Sequence, residues 1–398
     1  MTTSAKPISV AVIGAGMAGR SHAAGYRNVN TVFGAGLPPI RLAAIADANV
    51  ALGEDAARRY GFDKALPSWE AVAEDPTIDA VSIVVGNDLH RPIAEALVAA
   101  GKHVLCEKPL AGSLDDARAM AELERSAEVV TAVGYTFRRS PGIAAIRDHV
   151  QRGELGDLTL FSGRYWCDYA TDPNGPLSWR FKGGPGSGAL GDIGSHVIDV
   201  AEYVAGPIAS VSGATLSTQI PKRPLPLGAV VGHNAAPVSD EFGEVENEDT
   251  ASFTARFESG LVGTFSVSRT GFGLPNGLAF DVLGVGGRAA FDQHRPAEYL
   301  FDDAQPEART RGARTIIAGP NLPYFAGGVP MEAPGVGASN ADNFTYQARA
   351  FLDQIAGVTD PRPACATFAD ALRTMEIIQA VVHSSRNDGA ATAVPPVA

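Results

Sequence analysis

Several absences narrow what this chain can do. Its 398 residues include only three cysteines, Cys106, Cys167 and Cys365, with no Cys-x-x-Cys spacing. That fits a reducing cytoplasm better than a disulfide framework. No run approaches the ~18 apolar residues of a membrane span, and Met1 to Pro7 lacks a charged and apolar signal region, so a cytoplasmic location with no membrane partner is expected. Basic charge is scarce: 32 Lys and Arg against 44 Asp and Glu leave a net charge of -12 with no basic stripe, which argues against a nucleic-acid partner. There is no His-x-x-x-His pair, no phosphate-loop lysine and no Gly-x-Ser-x-Gly elbow, so no metal is expected.

What is present is the composition of a globular α/β protein, 45% hydrophobic and 19% charged with 44 glycines. The length suggests two domains at roughly 100 to 200 residues each. Ile8 to Ile13, Leu42 to Ala46, Ala80 to Val85, His103 to Cys106 and Val129 to Val133 are short apolar runs separated by helical patterns. Strands buried on both faces lose their alternation, and helix-sized spacers make the sheet parallel, so the first part reads as a Rossmann-type, doubly wound domain. From about residue 155 the strands lengthen and alternate, as in Leu158 to Tyr169, Ala251 to Phe257 and Val262 to Arg269. This predicts an α+β domain with a large open, mainly antiparallel sheet, whose second face is available to another subunit.

The expected division is therefore 1–150, 151–385 and a flexible tail at 386–398. The two terminal helical patterns, Asp342 to Ala356 and Phe368 to His383, are free to pack back on the first domain. Pro221 to Asp240 reads as a long loop or arm and Ala304 to Val336 as irregular.

Three groups of residues carry chemistry. Gly14-Ala15-Gly16-Met17-Ala18-Gly19 lies between the first strand and a helix-like run, the context in which such a triplet brings backbone up to a pyrophosphate. Asp47, at the end of the second strand, can accept from both ribose hydroxyls of NAD and would repel a 2′-phosphate. Its spacing from Gly19 exceeds the usual ~20 residues, which the insert Asn28 to Pro39 accounts for as a loop. Asp47 can also be read as the cap of the helix that follows. The second group is Glu107-Lys108-Pro109, at the C-terminal edge of the sheet, where the ammonium can hydrogen-bond a reacting oxygen. The third is Asp192 and His196, four residues apart at the start of a helix behind the glycine-rich, flexible run Gly183 to Gly191. Aromatics cluster at Tyr165, Trp166, Tyr169, Trp179 and Phe181. Alternation places Arg164, Trp166 and Asp168 on one face, where Trp166 could stack on a sugar.

In this chain order the three groups resemble the Gfo/Idh/MocA family of sugar and cyclitol dehydrogenases. The resemblance covers roughly residues 8 to 385, including Val245-Glu246-Asn247-Glu248-Asp249 and Gly191-Asp192-Ile193-Gly194-Ser195-His196. Ala23 to Pro39 and Asn174 to Phe181 are most similar to its branch of levoglucosan and inositol dehydrogenases.

The resemblance implies NAD as cofactor, a cis Lys108-Pro109 bond, and Lys108, Asp192 and His196 as catalytic residues, with His196 the base towards the hydroxyl, Asp192 positioning substrate or lysine, and Lys108 the alternative final proton acceptor. It implies cofactor contacts from Gly14, Gly16, Met17, Ala18, Gly19, Asp47, Asn87, His90, Glu107, Lys108, Pro109, Trp179 and Arg180. Substrate contacts are expected from Lys108, Arg138, Trp166, Asp192 and His196. At Gly86-Asn87 the chain departs from the family's Thr-Pro. The expected function is NAD-dependent oxidation of a secondary hydroxyl of a sugar, anhydrosugar or cyclitol by a homodimer or homotetramer. An NAD-dependent glycosidase of the same family and a dinucleotide-sensing regulator are the rival readings.

Overall fold

The structure is a computed structural model that describes residues 6–32, 36–228, 230, 236–303, 312–322, 331, 333–358 and 363–396. Two compact units emerge, Met1–Pro141 with Gly319–Leu372, and Gly142–Ala318 with Arg373–Ala398. Residues 319–372 thus group with the first unit.

Among the described residues the first unit alternates β1 (Ile8–Ile13), α1 (Met17–Val32), β2 (Ile40–Ala46), α2 (Val50–Tyr60), β3 (Lys64–Leu66), α3 (Trp69–Glu74), β4 (Ala80–Ile83), α4 (His90–Ala99), β5 (His103–Cys106), α5 (Leu114–Ser126) and β6 (Thr131–Val133). Its strands pair in parallel in the order β3-β2-β1-β4-β5-β6, which is the doubly wound topology. β1 and β4 are buried along their whole length, as their unbroken apolar runs require. The helices start where side chains can replace missing acceptors: Asn49 caps α2 by accepting from the Leu52 amide, and Ser113 caps α5. The Asn28 to Pro39 insert is not all loop, because α1 runs on to Val32.

The second unit begins with α6 (Pro141–Gln151) and β7 (Leu158–Trp166), followed by α7 (Ser195–Ala205), β8 (Ile208–Ser217), β9 (Lys222–Pro226), β10 (Val238–Glu244), β11 (Thr250–Phe257), β12 (Val262–Ser268), β13 (Gly277–Gly284), β14 (Gly287–Asp292), β15 (Glu298–Asp303) and β16 (Arg314–Ile317). After them in the chain come α8 (Asn340–Ala356), which groups with the first unit, α9 (Phe368–Arg386) and β17 (Thr392–Ala393). The large sheet runs β16-β15-β14-β13-β7-β12-β11-β8-β17, antiparallel except where β12 lies parallel to β7. Strict alternation in β11 and β12 sends Phe253 and Phe265 to the covered face, where their rings stack 4.7 Å apart.

Three expectations need correction. Part of the Pro221 to Asp240 loop is strand, because β9 and β10 form a separate hairpin; Pro224 and Pro226, which lack amides, conceal it and are tolerated only in such a two-stranded edge. β16 lies within the stretch expected to be irregular, much of which is outside the described residues. The tail is not free: Asp388 (φ 52°) and Gly389 (φ 77°) turn the chain after α9, β17 pairs with β8, and Val394 is buried. An Ala- and Thr-rich sequence gives no signal for an edge strand that relies on backbone pairing alone. No helix among the described residues is long and apolar enough to cross a membrane.

Candidate active site

In the first unit the outer two glycines of the triplet, Gly14 and Gly19, are demanded by sterics. Gly14 has φ 102°, and a Cβ there would lie 2.0 Å from the Val84 carbonyl oxygen. A Cβ on Gly19 would lie 1.8 Å from the Gly14 oxygen, so the first turn of α1 sits directly on the loop. Gly16, by contrast, faces open space, and the first turn of α1 carries no acidic side chain to oppose an anion at its amides. Asp47 ties the end of β2 to this loop: one carboxylate oxygen accepts from the Ala15 amide and the other from Asn49, both at 2.8 Å. Asn49, not Asp47, is the cap of α2.

At the end of β5 the Lys108-Pro109 bond is cis. Glu107 is engaged on both oxygens, with Oε1 2.8 Å from His22 Nε2 on α1 and Oε2 accepting from the Lys108 amide at 3.2 Å. The chain of polar contacts continues inward from His22 Nδ1 to Ser82 Oγ at 3.1 Å and on to the Tyr26 hydroxyl at 2.8 Å. His22 is buried; nothing in its helical pattern distinguishes it from a packing histidine, so it escapes sequence reading.

His90 is fully buried, with Nε2 3.2 Å from the Val85 oxygen and Nδ1 3.1 and 3.2 Å from those of Pro109 and Leu110. Burial holds its imidazole below the usual value against the pull of those carbonyls. A neutral ring has one N–H and donates on one side only. The expected cofactor contact at His90 is therefore replaced by a clamp between the end of β4 and the turn that carries Lys108. Arg138 is similarly occupied: it follows β6 and pairs with Asp370 Oδ2 at 3.0 Å. Asn87 lies in a short 3-10 turn after β4.

In the second unit Asp192 belongs to a π-helical turn, Leu190–Gly194, and His196 to the first turn of α7, in place of one continuous helix from Asp192. Such widened turns recur at functional sites because they re-aim side chains. The Tyr169 hydroxyl donates to Asp192 Oδ2 at 2.8 Å. The Tyr165 ring centroid lies 6.1 Å from that of His196, and the Tyr165 hydroxyl donates to Asn276 at 2.6 Å. Burial beside Asp192 pushes both phenols well above their usual range.

Trp166 is on the opposite face of β7 from Tyr165, as period-2 alternation demands. There it donates to Ser266, stacks under Arg164 and lines a cavity of about 470 Å³ on the open side of the sheet with Arg288 and Asp281. The expected contact of Trp166 with a substrate at Asp192 and His196 is thus corrected: Tyr165 and Tyr169 are the aromatics that share their face. Trp179 and Arg180 open a 3-10 turn in which Trp179 is exposed, Phe181 is buried and the Arg180 guanidinium stacks on the indole, 4.4 Å from its centroid.

A binding loop of Rossmann type, a turn carrying lysine and an Asp/His turn over an antiparallel sheet define a two-unit dinucleotide-dependent oxidoreductase. A family model described as an oxidoreductase family with an NAD-binding Rossmann fold matches residues 8–135, and a GFO/IDH/MocA C-terminal domain matches residues 143–290. The chain belongs to this family of NAD-dependent sugar and cyclitol oxidoreductases. Levoglucosan dehydrogenase of Pseudarthrobacter phenanthrenivorans is 36% identical over 389 residues, which cover 96% of this chain and 97% of that enzyme. The scyllo-inositol 2-dehydrogenase (NAD+) of Bacillus subtilis is 29% identical over 66% of this chain and 68% of its own. A solved structure of levoglucosan dehydrogenase in complex with NADH and levoglucosan matches with a TM-score of 0.89 and 34% identity, covering 98% of this chain and 100% of that one.

Proposed function

We propose that this chain oxidises a secondary hydroxyl of an anhydrosugar of the levoglucosan type, a neutral sugar or an inositol-like cyclitol to the ketone. The observation that carries this reading is similarity to levoglucosan dehydrogenase over 96% of the chain; Lys108, Asp192 and His196 are the residues to which we assign the chemistry. The Lys108 ammonium hydrogen-bonds the reacting oxygen and stabilises the developing alkoxide, and His196 takes the hydroxyl proton. Asp192, held by Tyr169, orients the substrate hydroxyls. NAD, when bound, supplies the acceptor for the hydride that leaves the carbinol carbon. The residues that would hold it are Gly14, Gly16, Met17, Ala18 and Gly19 at the pyrophosphate and Asp47 at the ribose, with Asn87, the Glu107-Lys108-Pro109 turn, Trp179 and Arg180. They fit the group: the loop is open at Gly16, and the Asp47 carboxylate disfavours a 2′-phosphate. The same reading has the protein cytoplasmic and assembled as a homodimer or homotetramer.

The test is a panel of levoglucosan, inositols and common hexoses with NAD, followed by NADH absorbance. Accumulating NADH is expected with at least one of them. Glycoside cleavage without net NADH would mark an NAD-dependent glycosidase instead, and tight NAD binding without any turnover would mark a dinucleotide sensor.

A further inference from the structure

We infer that Glu248 is a positioning residue for Asp192, the centre of a clip that converts the glycine-rich run Gly183 to Gly191 into a fixed support; the inference rests on the dehydrogenase reading above. A run with five glycines is costly to order, since glycine loses more conformational freedom than any other residue. Here its amides are taken up by one acidic segment more than fifty residues further along. Glu246 Oε2 accepts from the Gly183 amide at 3.1 Å while its Oε1 meets Lys182 Nζ at 2.8 Å. Asn247 Nδ2 donates to the carbonyls of Arg180 and Lys182 and to Ser187 Oγ, at 3.0 to 3.1 Å.

Glu248 grips the end nearest Asp192. Its Oε2 accepts from Gly186 at 2.8 Å, its Oε1 from Leu190 at 2.9 Å, and its backbone oxygen from Ala189 at 2.9 Å. A Cβ on Gly188 would lie 2.2 Å from that same backbone oxygen, so the loop rests on the clip with no room for a side chain. From Gly188 the support passes straight into the site, because the Asp192 amide donates to the Gly188 carbonyl at 2.9 Å. Glu248 is itself 2% exposed, and both its carboxylate oxygens are committed to loop amides, a holding role in place of a proton-transfer one. Behind it, Arg269 bridges the segment, donating to Asp249 Oδ1 and Asn247 Oδ1 at 2.8 Å and to the Arg180 carbonyl at 3.0 Å.

Glu248→Gln replaces one of the two accepting oxygens by an NH2 group that cannot accept, and Glu248→Ala removes both. Misplacing a substrate-positioning group by about 1 Å can cost ~100-fold. The expected result on the full-length protein is kcat about tenfold lower in Glu248→Gln and about a hundredfold lower in Glu248→Ala, with the sugar KM within threefold and NAD affinity by calorimetry unchanged. Amide exchange should quicken at Gly186 and Leu190 and at Asp192, and nowhere else. Quickened exchange at those amides with turnover unchanged would overturn the inference, as would exchange quickened throughout the second unit in the milder Glu248→Gln. If Glu248→Ala does not fold, the Gln variant decides alone. Absence of NADH from the wild type with every sugar would remove the dehydrogenase reading by itself, and loss of protection confined to Gly186–Asp192 would still support the clip.

Discussion

Around Lys108 the partners are side chains of the neighbouring strands and helices of a parallel sheet: His22 on α1, reaching Ser82 on β4, holds Glu107, and His90 at the start of α4 meets the carbonyls of the turn itself. Around Asp192 the support is a glycine-rich loop whose amides end on an acidic segment between β10 and β11. The first turn is therefore rigid by virtue of the sheet that carries it, whereas the second is rigid only because a distant segment satisfies it. One consequence is that the Lys108 turn is marked by a contiguous motif, Glu107-Lys108-Pro109, while the parts that fix Asp192 are scattered over about a hundred residues from Tyr169 to Arg269.

The sharpest way to separate the two is to remove the groups proposed to react. Lys108→Ala should lower turnover by roughly two to four orders of magnitude, the range of lost acid–base and alkoxide stabilisation, with little change in NAD affinity. NAD binding abolished in calorimetry with turnover intact at saturation would instead confine the Lys108 side chain to holding the cofactor, with no part in the chemistry. His196→Ala should also remove most of the rate, and with it the rise of oxidation with pH that a base needing to be neutral imposes on the wild type. A near-normal rate with an unchanged profile, measured where deuterated substrate shows hydride transfer to limit turnover, would return His196 to a packing role.

Smaller effects test the supports. His22→Ala removes the contacts of His22 with Glu107 and Ser82 behind the Lys108 turn, and Tyr169→Phe removes the hydrogen bond to Asp192; each should cost about tenfold in turnover, by analogy with the hydrogen-bonding partners that orient ligating side chains elsewhere. Equal rates in wild type and both variants would mean that neither turn depends on its buried partner. Asp47→Ala should raise the efficiency with NADP relative to NAD, because charge repulsion is removed; a wild type already preferring NADP would sink the assignment of Asp47.

The least effect is expected away from both turns, at Asp75. Its carboxyl is held well below the usual carboxylate range by Lys64 Nζ at 2.6 Å and by the amide and hydroxyl of Thr77. A depressed folded value means that the stability it contributes is present above the ordinary carboxylate range and is lost as pH falls through it. Asp75→Asn should thus destabilise by at most about 1 kcal/mol at neutral pH, the scale of a partly exposed pair, and by less in acid. Urea midpoints at about pH 7 and about pH 3 check the sign.

Legibility follows the same division. Where a candidate site rests on local backbone, as at Gly14, Asp47 or the Lys108 turn, residue type and spacing are enough to locate it, because strand, turn and helix are contiguous. Where it depends on which face a side chain takes, a local error propagates: alternation correctly groups Arg164 with Trp166, but only the packing of α7 on the other face of β7 shows that Tyr165, and not Trp166, accompanies His196. His90 was legible as a residue near the start of a helix, yet its burial and its three carbonyl neighbours belong to the folded unit.

By itself the sequence determined the two-domain α/β class, the parallel sheet implied by alternating apolar runs and helices, and the candidates proposed as reacting residues, since these rest on short-range periodicity and contiguous motifs. Tertiary structure alone decided the π-helical turn at Asp192, the hairpin β9–β10, the docking of β17 on β8 and the carboxylate clip at Glu248. Each of these is a hydrogen-bonding solution between segments far apart in the chain, and backbone amides, which every residue but proline carries, leave no trace in the sequence of where they will find their acceptors.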